Sequence, residues 1–107
     1  MHIVILLGPS DAVELLSRRV RYQAVLLRDG SWFCVADLVE DNLRLQIEEV
    51  PGVEILPHPG RGHAVPAEIL TRLLNAGVDV EPGDEAGDLC EKVARAYGMP
   101  SLLAPLD

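Results

Sequence analysis

RDGSWFCV, residues 28–35, follows an apolar run and holds the chain's only tryptophan, its only phenylalanine and one of its two cysteines. It admits two structures. Asp29-Gly30 taken alone is a hairpin signal. The residues after it have a different period: Trp32, Val35, Ala36, Val39, Leu43 and Ile47 recur at three- and four-residue steps, while Glu40, Asp41 and Arg44 fall elsewhere. That is the pattern of an amphipathic helix. The period outweighs the dipeptide here. Asp29-Gly30-Ser31 therefore reads as a strand-to-helix loop with Ser31 as a candidate N-cap, and the hairpin stands as the alternative.

The flanking sequence fits an alternation of strands and helices. His2–Leu7 (HIVILL) and Gln23–Leu27 (QAVLL) are short apolar runs, read as buried strands. Between them, Ser10 or Asp11 caps a helix whose face is Ala12, Val13, Leu16 and Val20, with Glu14 completing a capping box. Pro51-Gly52 breaks the chain before a third strand, Val53–Leu56. PHPGRGH, from Pro57 to His63, is a loop. Pro66 opens a helix with Ile69, Leu70, Leu73 and Leu74 on its apolar face, ended by Gly77. Val78–Val80 reads as a short fourth strand. Asp84 is the expected cap of a last helix, with Ala86, Leu89, Cys90, Val93, Ala94 and Tyr97 on one face, stopped by Gly98 and Pro100. Ser101–Ala104 reads as a short edge strand. The expectation is one α/β domain over residues 1–107: three layers, a mostly parallel sheet of four or five strands and about four helices. Ligands in such sheets bind beyond the carboxyl ends of the strands. That points to the loops Gly8–Asp11, Asp29–Cys34, Pro57–His63 and Glu81–Gly87.

Composition narrows the function. With 107 residues, 49 % of them hydrophobic, the chain can bury a core and is not of disordered type. Seventeen acidic residues against nine basic ones leave a net charge of −8. That disfavours nucleic acid and anionic membrane surfaces as partners. The apolar start, MHIVILLGP, is too short to span a bilayer and lacks the basic start and cleavage site of a signal peptide. Two cysteines make neither a disulfide framework nor a four-ligand zinc site, so a cytoplasmic location with reduced thiols is expected.

Each candidate site residue has a functional and a plain reading. Cys34, near the start of the expected second helix, would feel the positive end of the helix dipole. That would lower its pKa and make it a redox or persulfide thiol; the plain reading is a packed small hydrophobe. Cys90 reads as core. In HPGRGH, the glycines allow close backbone approach, Arg61 can grip a carboxylate or phosphate, and His58 and His63 are candidate ligands. The plain reading there is a solvated loop. Glu81, Asp84 and Glu85 are clustered carboxylates that suit a magnesium ion or simply a helix start. No bound cofactor is called for, and no Ser/His/Asp or Cys/His arrangement stands out.

AVLLRDGSWFCVADL, residues 24–38, resembles a segment of the DsrE/DsrF/DsrH-like sulfur-relay proteins, in which an apolar strand runs into Asp-Gly or Asn-Gly and then a helix start. The resemblance implies a small α/β sandwich that assembles as dimers, trimers or hexamers, some members of which pass persulfide sulfur between proteins. Sulfur-carrying members have a cysteine after the third strand, near an Ala-Arg-Gly. Here that stretch reads PHPGRGHAVPAEIL, with Arg61-Gly62 but no cysteine. The implied protein is a non-catalytic, DsrH-like subunit and homo-oligomer, with Cys34 the one candidate persulfide site. Two other likenesses imply different functions. LLGPSDAVELL and VDVEPGDEAGDLCEKVA are similar to the two motifs of Toprim domains, with Leu7 and Pro82 where that family has carboxylates; they imply a degenerate metal site at Glu81, Asp84 and Glu85. GRGHAVPAEILTRLLNAGVDV is similar to cofactor-precursor carriers of the NifX kind, which call for a hairpin at Asp29-Gly30.

Overall fold

The computed structural model describes residues 3–16, 19–38, 40–58 and 65–102, without the side chains of Pro57 and His58. The elements are β1 (Ile3–Gly8), α1 (Ser10–Leu16), β2 (Tyr22–Leu26), β3 (Trp32–Asp37), α2 (Asp41–Glu48), β4 (Glu54–His58), α3 (Ala67–Asn75) and α4 (Ala86–Ala96).

Arg28–Val35 is a hairpin, not a strand-to-helix passage. The Leu27 N–H donates to the Ser31 carbonyl at 2.8 Å, and the Gly30 N–H donates to the Leu27 carbonyl at 3.0 Å. Gly30 has φ +90°, the left-handed position that closes a three-residue hairpin loop. The Asp29 carboxylate accepts from the Ser31 N–H at 3.0 Å and from its hydroxyl at 2.6 Å. Ser31 thus serves the turn and caps no helix. The helical period came from joining two elements. Trp32, Val35 and Ala36 lie on β3, Leu43 and Ile47 lie on α2, and Val39 falls outside the described residues. The stripe also passed over Phe33 and Cys34, which are fully buried. Four consecutive buried residues, Phe33–Ala36, mark a strand covered on both faces.

The sheet order is β2-β3-β1-β4, and every pairing is antiparallel. This corrects the expected mostly parallel sheet. An unbroken apolar run such as IVILLG reports two covered faces, and the usual cause is a parallel sheet. Here β1 is wholly buried in an antiparallel one. Because β3 lies between β1 and β2, those two strands run parallel across it; β3 and β4 likewise run parallel across β1. The result is two interleaved βαβ crossovers, the connectivity of a ferredoxin-like βαββαβ unit. No further strand occurs among the described residues. Val78 and Val80 are buried but belong to no strand, and of Ser101–Ala104 only Ser101 and Leu102 are described, neither in a strand.

The three layers follow from strand alternation. Ile3, Ile5, Leu7, Val25, Phe33 and Val35 face α3 and α4, packing on Ile69, Leu73, Leu89 and Val93. Val4, Leu6, Cys34 and Ala36 face α1 and α2, packing on Ala12, Leu16, Leu43 and Ile47. Gly8 is required where β1 meets the approach to β4, since a Cβ there would sit 3.0 Å from the Val53 Cα. Leu74, expected on the apolar face of α3, is 51 % exposed.

Two substitutions separate the hairpin from the helix. In the hairpin Phe33 is core and Trp32 is half-buried at its rim; in the helix the roles reverse. Phe33→Ala is expected to cost about 3–5 kcal/mol in urea unfolding, and Trp32→Ala clearly less. The opposite ranking would contradict the β3 assignment.

Candidate functional site

The antiparallel sheet scatters the loops that a parallel sheet would gather. Leu26 pairs with Trp32, and Trp32 with Gly8. The Gly8–Asp11 loop and the Asp29-Gly30 turn therefore share one end of the sheet. His58 pairs with Ile3, so the chain leaves β4 at the opposite end. Arg61 and His63 lie outside the described residues, as does the side chain of His58.

Cys34 sits in the middle of β3, between Ala24 of β2 and Leu6 of β1. It is 1 % exposed and lies at no helix start. The dipole argument therefore has no helix to act through. Burial pushes the thiol up to about 12, so the thiolate that attacks or carries sulfur is scarce near neutral pH. Cys90, on the buried face of α4, is likewise pushed to about 12 by burial. It lines a cavity of about 280 Å³ with Glu91, Arg95, Met99 and Leu102.

The acidic stretch is committed to internal bonds. The Asp84 carboxylate accepts from Lys92 Nζ at 2.6 Å and from the Glu81 N–H at 2.8 Å. The Lys92 hydrogen bond is the main cause that holds the Asp84 carboxyl below its ordinary 3.8, and the same bond raises Lys92. The expected cap at Asp84 is replaced by Glu85, whose N–H donates to Asp88 Oδ2 at 2.9 Å. Among the described residues no group of three His, Cys, Asp or Glu is placed to hold a metal ion. Lys92 also borders an open cavity of about 480 Å³ with Asp79, Glu81 and Arg95. Its mixed charges select no single ligand.

Tyr97 is a structural link that its place on an apolar helix face did not reveal. Its hydroxyl accepts from the Arg28 N–H at 2.9 Å and donates to the Ala76 carbonyl at 2.9 Å. The Arg28 guanidinium lies 5.9 Å from the ring centroid. The hairpin tip is thereby tied to the ends of α3 and α4.

An apolar group near the β2 edge is only partly covered. On the α1/α2 face, Tyr22 and Ala24 of β2 and Trp32 of β3 are only half-buried. Leu26, directly across from Trp32, is 52 % exposed. Tyr22, Ala24 and Leu26 lie on β2, an edge of the sheet, with Trp32 beside them on β3. The sequence carries the signal as five consecutive residues without charge, YQAVL, but a short run of that kind reads equally well as an interior strand.

Two outcomes test these assignments. Neither thiol of the native protein should react with iodoacetamide at pH 8 on a timescale that labels free cysteine, and both should react in urea; rapid native labelling of Cys34 would restore it as a working thiol. A lowered Asp84 pKa contributes stability that is complete above the ordinary 3.8 and is lost as pH falls through the lower folded value. Asp84→Asn should therefore lower stability at pH 7 and flatten the loss of stability below pH 4; an unchanged acid limb would remove this role.

The chain matches no family model, no curated protein and no solved structure.

Proposed function

We propose that this protein is a non-catalytic subunit that works by self-association. One observation carries the reading: Leu26, 52 % exposed, stands with the half-buried Tyr22, Ala24 and Trp32 at β2, a strand with one sheet neighbour among the described residues. Single exposed leucines are ordinary. An exposed leucine continuous with half-buried aromatic residues along an open edge invites a partner. The DsrH-like resemblance rested on a helix start after Asp29-Gly30, where the chain forms β3, so the reading draws no sulfur-relay role from it. Persulfide carriage by Cys34 is not part of it, because that thiol is closed off and held protonated. Two unpaired cysteines suit the cytoplasm, where thiols stay reduced. No helix among the described residues is long and apolar enough to cross a membrane. A second reading, a cofactor carrier of the NifX kind, is favoured by one feature, the hairpin at Asp29-Gly30 that it calls for.

Sedimentation equilibrium at low and at physiological salt tests self-association. Each copy carries −8, so copies repel at long range while the apolar strip attracts at contact. The expected result is a dimer or larger assembly that tightens as salt rises. A chain that stays monomeric at roughly 100 μM in both buffers would contradict the reading.

A further inference from the structure

The open edge of β2 has the geometry to pair with a copy of itself. In the β2–β3 ladder the Asp37 N–H donates to the Arg21 carbonyl at 3.1 Å, and the Leu27 N–H to the Ser31 carbonyl at 2.8 Å. Odd-numbered residues of this segment thus direct their backbone groups to β3. Antiparallel ladders alternate, so Tyr22, Ala24 and Leu26 turn their N–H and C=O groups outward along the edge. The other edge strand, β4, contains Pro57, which has no N–H to offer. Tyr22–Leu26 has none of the charges, prolines or glycines that protect natural edges.

We infer that β2 pairs antiparallel with β2 of a second copy about a two-fold axis through Ala24. The inference rests on the self-associating reading and names its interface. In this register Ala24 meets Ala24 at the axis. Tyr22 meets Leu26 of the second copy on the α1/α2 face, and Leu26 meets its Tyr22. The exposed leucine is covered by an aromatic ring, a favourable cross-strand pair. The register ends with the strand: Arg19 and Val20 before it and Arg28 and Asp29 after it lie in turns, where Arg19 is paired with Glu40 and Asp29 with Ser31. Sliding either strand by two residues takes Tyr22 away from Leu26. The product is one continuous antiparallel sheet through both copies, an isologous interface.

A disulfide trap reads the register. Ala24→Cys is made in a Cys34→Ala background, because Cys34 is the β3 neighbour of Ala24. Across the axis the two Cα atoms would stand about 5.5 Å apart, within disulfide span. Mild oxidation should convert most of the chain to a covalent dimer with an unchanged circular dichroism spectrum. Thr71→Cys, exposed on α3, should not cross-link in the same background. Leu26→Lys, at a site half open to solvent, spares the fold and should raise the dimer Kd by roughly tenfold or more in sedimentation. If the wild type associates while Ala24→Cys fails to cross-link and Leu26→Lys leaves the Kd unchanged, the β2 interface is overturned and self-association stands. If the wild type is monomeric throughout, both are overturned.

Discussion

The turn at Leu27–Ser31 sets the topology. Its backbone bonds reverse the chain, and the Asp29 carboxylate fixes Ser31 by two hydrogen bonds. β3 then returns beside β2 and enters the sheet next to β1. With β3 so placed, both helical connections become crossovers, and their helices pack on one face of the sheet. The other face is left for α3 and α4, which cover it with the larger of the two cores. Tyr97 joins that layer back to the turn through Arg28 and Ala76. A loop that ran into a helix instead would remove β3 and with it the partner of both β1 and β2.

The same arrangement exposes β2. The crossover helices are described over Ser10–Leu16 and Asp41–Glu48. Their buried residues pack with the inward face of β1 and β3, where Leu6, Cys34 and Ala36 are sealed. Tyr22, Ala24 and Leu26 lie at the margin of this cover. The α3/α4 layer does better on its side, where Val25 is buried. An edge strand with Val25 buried on one face, Leu26 exposed on the other and one sheet neighbour among the described residues is one that a second strand would complete.

Much of the element order was legible in the residues. β1, α1, β2, β4, α3 and α4 stand within a few residues of where apolar runs, prolines and glycines placed them, and the three layers follow from that order. Strand direction was not legible. A run such as IVILLG records that both faces are covered and carries no sign for the neighbour's orientation. The hairpin was obscured because a strand buried on both faces has no alternation, so Trp32, Val35 and Ala36 were free to extend a helical period that properly begins at Leu43. The stripe omitted Phe33 and Cys34, two apolar residues that a helix would have turned outward. At the site level, the plain reading of Asp84 as a local structural carboxylate agrees with its bonds. The Cys34 environment depended on the hairpin and went with it. Tyr97 gave no signal, since a helix-face tyrosine looks the same whether or not its hydroxyl links two layers.

The central claim is that β2 is an edge strand whose outward backbone groups are taken up by a second copy. Residue-resolved amide exchange across Tyr22–Leu26, measured against protein concentration, tests it most directly. The account predicts alternation at low concentration, with Gln23 and Val25 protected by β3 while Tyr22, Ala24 and Leu26 exchange freely, and protection of all five as concentration rises. Uniform protection at every concentration, or an alternation that concentration never changes, would contradict it.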